Sequence, residues 1–373
     1  MIRVAQILGK MNGGDADKMV MNYYSAIDRE SVQFDFFMFK GSVKVPVEEI
    51  KSLGGRIFVL PSLKRPFRYM KVLRKLLEEN GYDIVHCHLS TLSGFALRAA
   101  KKAGVRVRIL HNHSTSGGSR ELLRNAAKAM LKPFAKRYAT EYIACSELSA
   151  RWMYGAVPIC SLNEAAPPVK VARIARNAVD INKFRYDKER RTTLRKELDI
   201  PEHSLVFGHI GGFCPQKNQS FLVDIFKDIV KQHKDSVLIM AGSGKDKEYI
   251  QARVMAAGLT DKVIFAGHRD DPEALYSVFD CFLLPSNYEG LPVVGVEAQA
   301  AGLYCLFSDK VTAEAKLTDS AQYLSLKTPS DDWACAAICC ARLRNEKGAE
   351  QLASAGYDIR TAAEELKQYY LSL

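Results

Sequence analysis

Two glutamates eight positions apart, Glu289 and Glu297, flank a Gly290-Leu291-Pro292 turn within the segment Pro285-Ser286-Asn287-Tyr288-Glu289-Gly290-Leu291-Pro292-Val293-Val294-Gly295-Val296-Glu297-Ala298. The segment follows the apolar run Cys281 to Leu284 and predicts a helix opening at about Leu291 or Pro292, since proline is suited to a helix start. The amides of Gly290 and Leu291 then lie at the positive helix end, fit for a diphosphate or for sugar hydroxyls beside it. Gly290 also lets a ligand approach the backbone. Along a helix axis eight residues cover roughly 12 Å, about the length of a diphosphate bridge. One carboxylate can then accept hydrogen bonds from the hydroxyls of a sugar, the other from a ribose. Taken singly, Glu289 reads as a loop carboxylate and Glu297 as a solvated helix glutamate.

Near the N-terminus, Met11-Asn12-Gly13-Gly14-Asp15-Ala16-Asp17-Lys18 follows a first apolar run. Gly13 and Gly14 can bring backbone close to a phosphate or an acceptor. Asp15-Ala16-Asp17 has the Asp-x-Asp spacing that holds a divalent ion on a diphosphate in some enzymes. Here it opens a helix running through Met19, Val20, Tyr23 and Ile27, where capping and the helix dipole account for both acids. The expected chemistry is accordingly metal-independent, with no cofactor. His86 with His88 and His111 with His113 form two His-x-His pairs whose rings share a strand face, a spacing also seen at zinc sites. No cysteine or carboxylate cluster completes such a site, so His86 and His88 are expected to be structural.

The elements that position these residues alternate along the chain. Strand-like runs at Ile2 to Leu8, Phe34 to Phe39, Arg56 to Leu60, Asp83 to Cys87, Val107 to His111 and Tyr142 to Cys145 are separated by helical patterns, the βαβ rhythm of a covered parallel sheet. The rhythm blurs between about Tyr154 and Glu202. It restarts with Leu205 to Ile210 and continues through Ser236 to Ala241, Val263 to Gly267, Asp280 to Pro285 and Leu303 to Ser308. The reading is α/β: two Rossmann-like doubly wound domains, residues 1–180 and 181–357, with a closing amphipathic helix over 358–373 expected to cross back to the first. Ile359, Ala362, Leu366 and Tyr369 or Tyr370 share one side of that helix. Ligands of such sheets bind beyond the carboxyl ends of the strands, where the residues above fall.

At 373 residues the chain suits two domains. No apolar run approaches the roughly 18 residues of a membrane span, and Met1 to Gly9 does not read as a signal peptide. A cytoplasmic protein is expected. Nine scattered cysteines without a Cys-x-x-Cys pair agree, reading as small buried hydrophobes. The net charge of +11 is uneven: residues 1–150 carry 25 Lys and Arg against 13 Asp and Glu, a balance of +12. That half is expected to meet something anionic. In Lys64 to Leu77, Phe67, Met70, Leu73, Leu76 and Leu77 are read as one helical face, with Arg68, Lys71 and Lys75 off it. Arg120 to Tyr138 repeats the pattern. Both fit ordinary docked helices or a surface resting on anionic lipid. No nucleic-acid motif or stacking platform accompanies the charge.

The Pro285 to Glu297 segment resembles the hallmark of glycosyltransferase family 4, Glu, seven residues, Glu within Pro-Ser-x-x-Glu-Gly-x-Pro. The resemblance covers nearly the whole chain and is nearest to the bacterial exopolysaccharide and capsule branch. Asp83-Ile84-Val85-His86-Cys87-His88, His111-Asn112-His113-Ser114, Asn177-Ala178-Val179-Asp180 with Phe184, Ala241-Gly242-Ser243-Gly244 and Phe265-Ala266-Gly267-His268-Arg269-Asp270-Asp271 follow in family order. It implies the GT-B architecture, two facing Rossmann-like domains with a cleft, and a retaining transfer. Glu289 would contact the donor sugar, Glu297 the ribose, the loop with His268 and Arg269 the base, and His113 the sugar from the N-terminal domain. One departure stands out. The family's Gly-Arg-Phe-x-x-x-Lys-Asn is Gly211-Gly212-Phe213-Cys214-Pro215-Gln216-Lys217-Asn218 here, so Gly212 replaces an arginine and Lys217 alone remains to meet diphosphate charge. Lys245, Arg269, Arg173 and Arg176 are the candidate substitutes.

The expected activity is transfer of a hexose or N-acetylhexosamine from a nucleotide sugar, UDP foremost, to a lipid-linked saccharide in surface polysaccharide synthesis, by a protein peripheral to the inner face of the cytoplasmic membrane. The alternatives are a GT-B nucleotide-sugar epimerase and a catalytically impaired nucleotide-sugar-binding protein. Nucleic acid is not an expected partner.

Overall fold

The computed structural model describes residues 1–113, 122–165, 167–269 and 271–373, without the side chains of 122–124. Ser114, Arg120 and Asp270, quoted above, lie outside the described residues. The chain divides into two compact units, Met1–Ala178 with Ile359–Leu373, and Val179–Asp358.

In the first unit the strands are β1 (Ile2–Ile7), β2 (Val32–Phe39), β3 (Ile57–Leu60), β4 (Ile84–Cys87), β5 (Val107–Asn112), β6 (Glu141–Ala144), β7 (Ile159–Ser161) and β8 (Ala172–Ile174). The helices between them are α1 (Asp15–Ala26), α2 (Val47–Ser52), α3 (Pro66–Asn80), α4 (Ser93–Lys102), α5 (Leu122–Tyr138) and α6 (Glu147–Tyr154). One parallel sheet results, in the order β3-β2-β1-β4-β5-β6-β8-β7. Alternation along β1 sends Val4 and Leu8 to one side with Tyr24, Phe34 and Tyr370, and Ala5 and Ile7 to the other with Leu73 and Leu97. Both faces are therefore buried, as a parallel sheet requires. The last helix, α15 (Ile359–Leu371), buries Ile359, Ala362, Ala363, Leu366, Tyr369 and Tyr370 in the same core as α1.

Two features differ from the sequence reading. The stretch where the rhythm blurs holds β7 and β8, each too short at three residues to leave a periodic signal. On α3 the buried stripe is Tyr69, Leu73 and Leu77, while Phe67 is 80% exposed. At 100° per residue Phe67 lies roughly 160° round the helix from Tyr69, so it cannot share that stripe.

The second unit contains α7 (Ile181–Phe184), α8 (Lys188–Glu197), β9 (Leu205–Ile210), α9 (Gln219–Gln232), β10 (Ser236–Ala241), α10 (Lys247–Ala256), β11 (Val263–Gly267) and α11 (Pro272–Val278). It continues with β12 (Cys281–Leu284), α12 (Val293–Ala300), β13 (Tyr304–Ser308), β14 (Ala321–Leu324), α13 (Ser330–Cys340) and α14 (Gly348–Ser354). Its parallel sheet runs β11-β10-β9-β12-β13-β14, and the order reverses between β9 and β12. Such a reversal opens a crevice at the carboxyl ends of the two strands. The Gly211 to Asn218 loop follows β9, and the Ser286 to Pro292 loop follows β12. Among the described residues no helix is long and apolar enough to cross a membrane.

Candidate functional site

The two loops at the switch point are tied together by backbone and side chains. Asn287 donates its amide to the Gln216 carbonyl at 2.7 Å and its side chain to the Pro215 carbonyl at 2.6 Å. Asn218 stands in the left-handed region at φ 55°, caps α9, and donates to the Pro285 carbonyl at 3.0 Å. This lacing delivers Lys217 to Glu289. The lysine Nζ lies 2.7 Å from Glu289 Oε1, Ser286 Oγ donates to the same oxygen at 2.9 Å, and Gln216 Nε2 donates to Oε2 at 3.0 Å. The pair is buried, with side chains 12% and 2% exposed. A carboxylate in this setting needs all three donors, and Ser286 and Gln216 are partners the sequence reading passes over.

Glu297 is equally removed from solvent and accepts a 2.6 Å hydrogen bond from the Tyr276 hydroxyl. Its helix, α12, begins at Val293 with Pro292 as the cap. Gly290 and Leu291 therefore belong to the preceding loop, and the helix opens at Val293, one or two residues later than the sequence suggests. The reading of Glu297 as a solvated helix glutamate fails, because its side chain is buried.

The glycines divide by what surrounds them. A Cβ on Gly242, whose φ is 138°, would lie 2.1 Å from the Gly211 carbonyl oxygen, and one on Gly244 2.3 Å from the Phe213 oxygen. Backbone contact between the loops after β9 and β10 explains both. A Cβ on Gly212 would meet only the Ser243 oxygen at 3.5 Å, an ordinary contact. On Gly211 it would press on Lys217 Cδ and Cε at 3.2 Å. Gly211→Ala is thus expected to displace Lys217 and lower kcat about tenfold, the order of effect that small misplacements produce, while Gly212→Ala leaves kcat within twofold. Steady-state kinetics of the two variants side by side checks this.

Of the substitute cations, Arg269 is engaged by Asp271 through hydrogen bonds of 2.7 and 2.6 Å, and that carboxylate raises the guanidinium pKa. Arg173 lies in the first unit, donating to the carbonyls of Ser161, Leu162 and Glu164. Arg176 is in the first unit as well. Lys245 is exposed in the loop after β10, and His268 in the loop after β11.

In the first unit Asp17 Oδ2 accepts from the amides of Asn12, Gly13 and Gly14 at 3.0, 3.1 and 3.1 Å. The amides of Gly13 and Gly14 thus hold the protein's own carboxylate, which burial pushes up in pKa against those three hydrogen bonds. The acid works as a cap for α1 and the glycine loop.

His113 follows β5 beside a cluster of imidazoles. His86, His88 and His111 offer ring nitrogens within 4.8 Å of one another, a grouping with the donor chemistry of a metal site. The facing nitrogens, however, lie 3.0 Å apart for His86 and His111 and 2.8 Å for His88 and His113. Both distances are those of hydrogen bonds between imidazoles.

Burial lowers all four pKa values, His86 and His113 to about 3 and His88 and His111 well below normal. In the second unit burial holds His209 at about 4. Because the folded pKa values are depressed, the unfolded chain binds the extra protons. The stabilisation is complete above pH 6.5 and is lost as pH falls toward 3. Each neutral imidazole contributes about 1.4 kcal/mol per pH unit in that window, four in the first unit against one in the second. Calorimetry between pH 6 and 5 should show the first-unit transition falling by roughly 10 °C or more and the second by far less. Parallel shifts would mean that the cluster is charged in the folded protein.

Comparisons with known proteins give the family. The profile of "Glycosyltransferase Family 4" matches residues 17–159 and that of "Glycosyl transferases group 1" residues 190–359. The chain is 32% identical over 366 residues to the putative glycosyltransferase EpsF of Bacillus subtilis (strain 168), covering 96% of this chain and 93% of that one. It is 30% identical over 277 residues to the UDP-Gal:alpha-D-GlcNAc-diphosphoundecaprenol alpha-1,3-galactosyltransferase of Escherichia coli, covering 71% of this chain and 69% of that protein. The capsular polysaccharide biosynthesis glycosyltransferase CapH of Staphylococcus aureus is 25% identical, with 100% of this chain and 99% of that one covered. These three relatives are transferases by name, which does not favour the epimerase alternative. Among solved structures, Anabaena Alr3699/HepE in complex with UDP and glucose superposes with a TM-score of 0.81 at 17% identity, covering 100% of both chains, a likeness of fold. The chain therefore belongs to the family 4 glycosyltransferases and is a transferase of bacterial polysaccharide biosynthesis with the GT-B fold.

Proposed function

We propose that the chain transfers a hexose or N-acetylhexosamine from a UDP-sugar to a lipid-linked saccharide, with retention at the anomeric carbon and without a metal ion, at the inner face of the cytoplasmic membrane. The observation that carries this reading is the buried Lys217–Glu289 pair at the switch point of the second sheet. In this proposal the lysine meets the diphosphate, whose charge grows as the glycosidic bond breaks, and Glu289 accepts hydrogen bonds from the sugar. Glu297 takes the ribose, the loop with His268 and Arg269 flanks the base, and His113 contacts the sugar. The name of the Escherichia coli relative, with its UDP-galactose donor and diphosphoundecaprenol-linked acceptor, supports the donor and acceptor classes.

The membrane surface is supported by Phe67 on α3 and Met130 on α5, 80% and 81% exposed on helices rich in cations. Large apolar tips among lysines and arginines suit an anionic interface. Two assays test the proposal. Thermal shifts with UDP-, GDP- and dTDP-sugars should show stabilisation by a UDP-sugar, and sedimentation with vesicles should favour anionic over neutral lipid. No stabilisation by any UDP-sugar, or UDP-sugar turnover in the absence of acceptor, would refute the transfer reading. Equal partition onto both vesicle types would refute the membrane assignment.

A further inference from the structure

Six buried or half-buried groups at the carboxyl ends of β1, β4 and β5 and on α15 form one hydrogen-bonded network. Gln6 Nε2 donates to the Tyr370 hydroxyl at 3.3 Å, and that hydroxyl lies 2.5 Å from His86 Nδ1. His86 Nε2 is 3.0 Å from His111 Nδ1. On the other branch, His88 Nε2 is 2.8 Å from Gln6 Oε1, and His88 Nδ1 is 2.8 Å from His113 Nε2. His111 Nε2 and His113 Nδ1, the nitrogens left at the two branch ends, are covered and, among the described residues, without a hydrogen-bond partner.

A neutral imidazole has one N–H and one lone pair, so one amide decides where every proton sits. Gln6 Oε1 can only accept, which puts the His88 proton on Nε2. His88 Nδ1 is then an acceptor and takes the N–H of His113 Nε2, leaving a lone pair on His113 Nδ1. Along the other branch Tyr370 receives from Gln6 and spends its own proton on His86 Nδ1. His86 therefore donates from Nε2 to His111 Nδ1, and His111 keeps its proton on Nε2. Turning the Gln6 amide over would reverse all four rings together.

We propose that Gln6, with Nε2 toward Tyr370 and Oε1 toward His88, is a positioning residue that holds His113 as the Nε2–H tautomer, so that the Nδ1 now covered would meet a hydroxyl of the transferred sugar as an acceptor. The functional half of this rests on the reading of His113 as a sugar contact. The tautomer half does not. Neither Gln6 nor Tyr370 touches the reacting atoms; both act through His88 and His86.

Long-range proton–nitrogen NMR spectra of the histidine-labelled full chain near pH 7 test the tautomer directly, without any variant. The expected result is an unprotonated Nδ1 and a protonated Nε2 on all four rings. Protonated Nδ1, a mixture of tautomers, or imidazolium signals would overturn the proposal. Gln6→Leu should then scramble the His113 tautomer and lower kcat about tenfold, with KM for the nucleotide sugar unchanged. Gln6→Glu, whose carboxylate still accepts from His88, should retain the Nε2–H form of His113 and recover most of the rate. A Gln6→Leu protein with the wild-type His113 spectrum sinks the positioning role. A scrambled spectrum with unaltered kcat sinks the functional half, and an unaltered rate in His113→Ala assigns that failure to the sugar contact itself.

Discussion

Lys217→Ala is expected to lower kcat by a hundredfold to a thousandfold, the loss seen when one preorganised charge stabiliser is removed from a developing anion. The variant should also destabilise the second unit by about 3 kcal/mol, because Glu289 keeps Ser286 and Gln216 as donors but loses its countercharge in a buried site. The two losses separate by a second substitution. Glu289→Gln on the Lys217→Ala background removes the unpaired charge, so the unfolding midpoint should recover while kcat stays low. Recovery of both would make the pair a structural brace, and a fall of less than threefold in Lys217→Ala would remove the lysine from the chemistry. Urea unfolding and single-turnover kinetics on wild type, the two single variants and the double variant give both quantities.

Gly212→Arg is expected to raise kcat tenfold to a hundredfold. The family resemblance places an arginine at this position, and the structure leaves it room. Gly212 is exposed, its φ lies outside the left-handed region, and a Cβ there would come no closer to its surroundings than 3.5 Å, at the Ser243 oxygen. Among the candidate replacement cations, Arg269 is already held by Asp271. A second fixed cation beside Lys217 would therefore restore a missing stabiliser of the diphosphate. Unchanged or reduced kcat in a stably folded Gly212→Arg protein would show that the phosphate charge is already met, with Lys245 the first cation to test by replacement.

Local pattern makes the strands of both sheets legible where they are four residues or longer and rich in large apolar or β-branched residues, which the missed β14, Ala-Gln-Tyr-Leu, is not, and the order of the motifs makes the fold family legible. What pattern does not supply is pairing across distance. Lys217 and Glu289 are 72 positions apart, and only the β9–β12 switch point and the Asn287 and Asn218 hydrogen bonds bring them together. The histidine cluster has the same origin. Each His-x-His pair puts two rings on one face, but their meeting depends on the β4–β5 register, in which His86 lies opposite Ile109.

Composition within single helices carries further signals. Glu297 sits in α12, whose other residues are apolar or small nearly all round and all buried. A charge in such a helix is a buried functional or paired group, and Tyr276 is the partner that structure adds. Phe67 departs from its expected face because a run of five apolar residues in α3 hides a narrower stripe on Tyr69, Leu73 and Leu77. The two glycine loops show the opposite limit, since Gly13 and Gly14 spend their amides on Asp17 and Gly242 makes way for the Gly211 carbonyl.

In the proposed function this chain moves a sugar from a nucleotide diphosphate through a site built on Lys217 and Glu289. Its most direct test is the extraction and counting of labelled lipid after incubation of radiolabelled UDP-galactose, UDP-glucose and UDP-N-acetylhexosamines with a lipid-diphosphate-linked saccharide. Label is expected in the lipid fraction with the wild-type chain, more with Gly212→Arg, and at least a hundredfold less with Lys217→Ala. Label incorporated equally by wild type and Lys217→Ala, or no incorporation from any of these donors, would contradict it.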